Sequence, residues 1–113
     1  MIPKIVNYKT HVRGSTIKAR TITLNQTVGG VTSPMDLTGA IVKMDLINGS
    51  NIVNKTIGSG ITIADPQSGV IVIDKFRLEH PGQWDYDIDI EFPDDVGETW
   101  IMGVVPIKDD ITK

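Results

Sequence analysis

The densest set of reactive side chains in this sequence is a row of four carboxylates, each separated from the next by one apolar residue. The row consists of Asp85, Asp87, Asp89 and Glu91. Hard cations such as Ca²⁺ bind several carboxylate oxygens, so the row invites comparison with a calcium site. Strict alternation is the pattern of a β-strand, on which every second side chain lies about 7 Å from the last. That spacing is too wide for three carboxylates to meet on one ion, and we interpret the row as the solvated face of a strand.

A second acidic group follows in a short polar segment. Asp94, Asp95 and Glu98 share this loop and are better spaced for a surface ion. Asp and Gly are also the residue types from which turns are built, and the turn is the favoured interpretation. The pair Asp109 and Asp110 is interpreted as part of a solvated tail. We therefore predict no metal site.

The residues needed for catalysis are sparse. His11 and His80 are the only histidines, and neither has the spacing of a metal pair. No Gly-x-Ser-x-Gly motif accompanies them. Gly58 and Gly60 lack the Lys-Ser/Thr sequel of a phosphate-binding loop. The sequence predicts neither an enzyme nor a cofactor site, and a hydrolase is the weakest of the functions considered.

Composition limits the partners. The chain has 113 residues, no cysteine and a formal net charge of −3. A single domain is expected at this length, and the scattered basic residues do not form the cluster that binds nucleic acid. No apolar run approaches the roughly 20 residues of a membrane helix, and no secretion signal begins the sequence. We expect a protein made in the cytoplasm, with no nucleic-acid or membrane partner.

The periodicity predicts an all-β fold. Strands are expected over residues 40–47, 52–57, 61–63, 70–73, 84–92 and 99–107, with a further β-rich stretch over 16–24. Residues 25–36 are interpreted as a loop, and 74–80 as the only stretch suited to a helical turn. Short strands separated by frequent turns favour an antiparallel immunoglobulin-like β-sandwich of about seven to eight strands.

The strand phases also predict which side chains form the core. The expected buried residues are Val42, Met44, Leu46, Ile71, Ile73, Trp84, Tyr86, Ile88, Ile90 and Val105. Replacing Ile88 with Ala should cost about 2 to 5 kcal/mol of stability.

The chain divides into an N-terminal arm, residues 1–13, and a domain, residues 14–113. The arm carries four candidate interface residues, Ile2, Ile5, Val6 and Tyr8. It is expected to add an edge strand or to reach a neighbouring subunit. Deleting residues 1–12 should then abolish assembly and leave the domain folded. Trp100, which begins the last strand beside the acidic loop, is a fifth candidate contact residue.

The order of these features resembles a known group of proteins. The segments that carry the resemblance are Arg13-Gly14-Ser15-Thr16, Asp36-Leu37-Thr38-Gly39-Ala40, Val42-x-Met44, Gly60-Ile61-Thr62-Ile63, Gly69-Val70-Ile71, Pro81-Gly82-Gln83-Trp84-x-Tyr86-Asp87-Ile88 and Gly103-x-Val105. They are similar to small immunoglobulin-like domains of bacteriophage and prophage tail genes, in particular the N-terminal domain of phage baseplate upper proteins. The resemblance covers about residues 13–112. The family usually has a longer helical segment at positions 74–80, and it continues into helical and receptor-carrying parts that have no counterpart in this sequence.

The resemblance implies a non-enzymatic virion structural protein of a tail or baseplate, or a fibre-attachment adaptor. Its partners would be other virion proteins and copies of itself. A capsid decoration or head-fibre attachment protein is an alternative of the same class. From a different class, a carbohydrate-binding module using Trp100 and the acidic loop is also considered.

Overall fold

The computed structural model describes residues 4–93 and 97–109, and all of their side chains except those of residues 27–28 and 97–100. Eleven strands lie in these residues: β1 (Lys4–Ile5), β2 (His11–Val12), β3 (Arg20–Thr23), β4 (Asn25–Val28), β5 (Val31–Pro34), β6 (Ile41–Asn48), β7 (Asn51–Ile57), β8 (Gly60–Asp65), β9 (Val70–Ile73), β10 (Gly82–Glu91) and β11 (Gly97–Lys108). The all-β class is confirmed. The described residues include no helix that could cross a membrane.

Most of the strands belong to one mixed sheet that curls into a half-barrel. Its order is β1-β11-β10-β6-β7-β8-β9-β3, and β2 pairs with β11 farther along the edge that β1 also covers. The pairs β1/β11, β2/β11 and β7/β8 are parallel, and the other pairs are antiparallel. Hydrogen bonding therefore continues through the sheet, and the core lies inside its curve.

The segment at Gly58 carries the chain from β7 into β8, its neighbour in the same sheet. Thr56 and Ser59 exchange backbone hydrogen bonds of 3.0 and 2.9 Å, and the chain resumes pairing at Gly60 opposite Thr56. Gly58 and Gly60 have φ angles of +84° and +100°, which side-chain-bearing residues rarely adopt. The glycines thus bend the chain and carry it into the next strand of the same sheet.

Two local predictions were wrong. Residues 25–36 contain a separate two-stranded hairpin, β4–β5, rather than an irregular loop. Gly29 and Gly30, with φ angles of +59° and +81°, form the tight turn between its strands. The sequence signal was a Gly-Gly pair between two β-compatible runs.

The expected helical turn at 74–80 does not form. Phe76 and Ile17 instead exchange backbone hydrogen bonds of 2.8 and 3.1 Å across an isolated bridge. Phe76 and Leu78 are buried while Lys75, Arg77 and Glu79 are exposed, which is the two-residue period of extended chain. Pairing with a distant segment therefore determines the local structure here.

The predicted core is confirmed. All ten of its residues are at most 5% exposed. β10 lies between β6 and β11, so the strand with the carboxylate row is central to the sheet. The indole N–H of Trp84 donates a 3.0 Å hydrogen bond to the His80 carbonyl, which satisfies the one polar group that this buried ring carries.

Candidate functional site

The described part of the arm lies along the edge of its own sheet. Lys4 and Ile5 pair with Ile101 and Met102, and β2 pairs with the far end of β11. Between these two pairings, the Val6 amide donates to the Met102 carbonyl at 2.9 Å. We call residues 4–12 the clasp segment, because they cover the edge of β11 that would otherwise be open.

The clasp segment crosses β11 at a glycine. A β-carbon on Gly103 would lie 2.0 Å from the Val6 carbonyl oxygen, so no side chain fits there. The Tyr86 hydroxyl, on the neighbouring strand, donates a hydrogen bond to that same oxygen. The Asn7 side-chain oxygen accepts a 3.1 Å hydrogen bond from the Val104 amide. We call Tyr86, Gly103, Val104 and the backbone of β11 the β11 socket.

Tyr8 extends from the clasp segment over the core. Its ring makes edge-to-face contacts with Tyr86 and Phe76, at centroid distances of 5.5 and 6.1 Å. The guanidinium carbon of Arg20 lies 4.6 Å from the centroid of the Tyr8 ring, within cation–π range. Arg20 is in β3 and the clasp segment borders β11, at opposite ends of the sheet. Tyr8 therefore joins the two ends of the half-barrel.

Burial changes the acid–base properties of this aromatic group. Burial, with a smaller contribution from the nearby Tyr8, raises the pKa of Tyr86 to about 12, and the charge of Arg20 acts in the opposite direction. Burial also raises the pKa of Tyr8, although the charge and hydrogen bond of Arg20 oppose the shift. Both hydroxyls are thus protonated at neutral pH, and Tyr86 can donate to Val6.

A second cation faces the same aromatic cluster. The Lys55 ammonium lies 4.3 Å from the centroid of the Phe76 ring. Lys55 is 8% exposed, and its stem fills the space beside Gly60. Burial lowers the pKa of Lys55, and the charge of Asp74 acts in the opposite direction. Both cations stack on aromatic rings of the interior and serve the packing there.

The opposite face of the sheet carries the carboxylate row. Asp87 lies directly opposite Asp45 on β6, whereas Asp89 lies opposite Lys43. Burial raises the pKa of Asp87, with further contributions from Asp89 and Asp45. Within residues 4–93 and 97–109, no group of three or more His, Asp or Glu side chains could hold a metal ion.

Large apolar side chains flank these carboxylates. Ile47 is paired with Ile52 on one side, and Met102 is paired with Ile5 on the other. Their exposed fractions are 46%, 62%, 41% and 61% respectively. We call these four residues the outer patch. A depression of about 180 Å³ lies within it, lined by residues that include Asp45, Asp85, Asp87 and Met102.

Three of the five predicted interface residues have side chains that the structure describes, and these do not share one surface. Ile5 is exposed and belongs to the outer patch, whereas Val6 and Tyr8 are half-buried against the core of their own chain. Ile2 and the Trp100 side chain lie outside the described residues. So do Asp94, Asp95 and the Glu98 side chain, on which the glycan and surface-ion hypotheses depend.

Sequence reasoning missed Gly103, Arg20 and the outer patch. A glycine inside a strand pattern is a known sign of close backbone approach, and Gly103 could have been identified by it. The sequence could not have identified Ile47, Ile52 and Met102, because single apolar residues on a solvent-exposed face are common. Only the register of four strands shows that these side chains are neighbours.

The remaining candidates have local roles. The His11 ring nitrogen Nδ1 lies 2.7 Å from the Lys9 carbonyl oxygen. Arg13 and Asp109 form an ion pair with 3.3 Å between Nε and Oδ1, and both side chains are partly exposed. This pair ties the residue after the clasp segment to the residue after β11.

No protein-family model matches this chain, and no curated protein is similar enough to it to indicate a relative.

Proposed function

We propose that this chain is a non-enzymatic structural protein of a bacteriophage virion, in a tail, a baseplate or a fibre-attachment site, and that it acts through protein–protein contacts. The sequence resemblance to immunoglobulin-like phage domains supports the class, and the immunoglobulin-like relationship is part of the proposal. A place on the capsid or head is the alternative within the same class. The contact surface is the outer patch together with its carboxylates.

The observation that carries this proposal is the exposure of the outer patch. Four large apolar side chains are exposed on the outward face of the sheet, in two cross-strand pairs beside the carboxylates. An antiparallel sheet with one solvated face normally alternates apolar and polar residues cleanly. Exposed apolar patches mark interaction sites in soluble proteins, and here two apolar pairs lie on either side of the β10 carboxylates. Burial against another protein would remove these side chains from water.

The carboxylates make this surface negatively charged. Asp45 and Asp87 are directly opposed like charges, an arrangement that destabilises the folded chain on its own. Lys43 opposes Asp89, one pair farther along the same face. A partner with Lys or Arg above the depression would relieve this repulsion while its apolar atoms cover Ile47 and Met102. Such charge complementarity mainly sets specificity and association rate.

The test places a charge in the outer patch. In cells that express the protein together with its neighbouring genes, Ile47→Lys should remove most of the protein from purified particles. Val31→Lys is the matched control, because Val31 is 67% exposed and lies on the separate β4–β5 hairpin. Circular dichroism and thermal melting check that both variants fold. If folded Ile47→Lys is incorporated normally, the outer patch is not the contact surface.

A further inference from the structure

We propose that the β11 socket is a strand-acceptor site for the clasp segment of a second copy of this chain, so that neighbouring copies exchange clasp segments when they assemble. This inference rests on the proposed assembly function and names one partner and its mode of contact. The exchanged segment would contribute Val6, Asn7 and Tyr8 to the neighbour's sheet.

The socket is specific for this sequence. Gly103 leaves room for the Val6 carbonyl, and Tyr86 provides the hydroxyl that binds it. Val104 supplies both an amide for the Asn7 side chain and a carbonyl for the Tyr8 amide, at 3.1 and 2.9 Å. A segment without Asn7 would lose the side-chain hydrogen bond, and one without Tyr8 would lose the ring contacts with Tyr86 and Phe76. Every copy of the chain carries both the segment and the socket, so a second copy meets all the requirements.

The clasp segment can leave while the core strands stay paired. None of residues 4–12 has a fully buried side chain, and only Val6, Tyr8 and His11 are half-buried. The regular pairing with β11 consists of two separate two-residue stretches. Segments with little buried apolar surface open at lower free-energy cost than the core strands.

An empty socket, in contrast, is unfavourable. It leaves the Tyr86 hydroxyl without the Val6 acceptor, the edge of β11 unpaired and Tyr86 and Phe76 without the Tyr8 ring. Unpaired sheet edges recruit other strands. Re-occupation by the chain's own segment is favoured in dilute solution, because the effective concentration of a tethered segment is high. In an assembly, copies are held close together, and exchange of identical elements is a low-cost route to association.

Because the chain has no cysteine, paired single-cysteine variants report exchange directly. Ile5 and Met102 are cross-strand partners and both are exposed. Full-length Ile5→Cys and Met102→Cys proteins are mixed at high concentration, incubated and oxidised. We expect the disulfide-linked heterodimer to exceed both homodimers by more than random pairing of equal amounts gives. It should also exceed, by several-fold, the heterodimer formed by Ile5→Cys with Val31→Cys, whose sites do not meet in any exchanged arrangement. The double variant Ile5→Cys/Met102→Cys, which should cross-link within one chain, confirms that the pair can form the bond.

A second variant shifts the balance between the two arrangements. Deleting Gly14 and Ser15 removes the turn between β2 and the Ile17 bridge, which should disfavour folding of the segment onto its own socket. This protein should sediment as a dimer or larger species where the parent is monomeric. The proposal is overturned if the matched heterodimer does not exceed the mismatched one while the double variant cross-links within its chain. The proposal would also be overturned if the protein lacking Gly14 and Ser15 folds and stays monomeric. These measurements use purified protein and do not depend on particle assembly. Exchange can therefore fail while Ile47→Lys still blocks incorporation, and exchange can succeed while Ile47→Lys is incorporated normally.

Discussion

The Val6 carbonyl oxygen occupies the place where Gly103 would otherwise carry a side chain, 2.0 Å from the position of its β-carbon. Any side chain at position 103 would collide with this oxygen, so the position requires glycine. The close approach also fixes where the N-terminal segment crosses the sheet. From that crossing, Tyr8 reaches Tyr86, Phe76 and the Arg20 guanidinium. One close approach thus aligns the groups that join the two ends of the curled sheet.

Gly103→Ala should release the clasp segment. The added methyl group meets backbone atoms that cannot move away without breaking the hydrogen bonds of Val6 and Asn7. We expect a loss of about 1 to 3 kcal/mol in the free energy of unfolding, which is typical of overpacking at a close contact. Limited proteolysis should then cleave within residues 4–12 faster than in the parent protein.

Gly29→Ala is the control for this experiment. Gly29 has a φ angle of +59° and no atom within 4 Å of its β-carbon position, so its substitution strains the backbone without a collision. It should lower stability and leave the clasp segment protected. Equal protection of the segment in Gly103→Ala and Gly29→Ala would contradict the proposed steric role.

The alkaline titration of Tyr86 reports the same contact. Its pKa is raised from 10.0 to about 12, so the folded state keeps a proton that the unfolded state loses. The stability that this provides is complete below pH 10 and should be lost as the pH rises from 10 to 12. The chain contains only two tyrosines, so the ultraviolet absorbance of tyrosinate can be assigned with a Tyr8→Phe variant.

Release of the clasp segment should change this titration. In Gly103→Ala, Tyr86 loses the cover of Tyr8 and Val6, and its midpoint should move toward 10. An unchanged midpoint in this variant would mean that the segment contributes nothing to the burial of Tyr86.

Asp87→Asn should stabilise the isolated protein at neutral pH. The pKa of Asp87 is raised from 3.8, because burial and the nearby Asp89 and Asp45 disfavour its ionised form. The cost of ionisation is therefore absent below pH 3.8 and complete above the raised pKa, so stability falls as the pH rises through this interval. We expect a gain of at most about 1 kcal/mol at neutral pH, reduced by salt.

Glu91→Gln controls for the change in net charge. Glu91 lies on the same strand opposite Ile41 and has no carboxylate directly opposite it on β6. Thermal melts of both variants at acidic and neutral pH separate the local effect from the global one. An equal shift in the two proteins would show that the Asp45–Asp87 pair has no special role.

Much of the fold was predictable because β10 alternates perfectly. Its period of two identified Trp84, Tyr86, Ile88 and Ile90 as core, and all four are buried. The same rule placed the inward residues of β6 and β9 correctly. Local alternation of this kind is an immediate consequence of strand geometry.

The parts that were not predicted depend on contacts between distant segments. Phe76 pairs with Ile17, and the Tyr8–Arg20 contact joins opposite ends of the sheet. A pattern within one segment contains no information about which distant segment will satisfy its hydrogen bonds. The curl of the sheet, which brings Tyr8 to Arg20, is likewise a property of the whole chain.

The position of the N-terminal segment also changes how the arm should be tested. Deleting residues 1–12 would remove Tyr8 and Val6 from the core as well as any contact with a partner. Ile5→Lys is a sharper experiment, because Ile5 is 61% exposed and belongs to the outer patch. It should block assembly and leave thermal stability within about 0.5 kcal/mol of the parent, as for other surface substitutions.

Methionine oxidation measures whether the outer patch is buried in the particle. Met102 in the outer patch is 41% exposed, whereas Met35 and Met44 are at most 4% exposed and serve as internal standards. The rate of sulfoxide formation at each site is measured by mass spectrometry in the free protein and in purified particles. We expect rapid oxidation of Met102 in the free protein and strong protection in the particle, with Met35 and Met44 protected in both. Oxidation of Met102 at the same rate in the particle as in solution would contradict the assignment of the outer patch as the assembly surface.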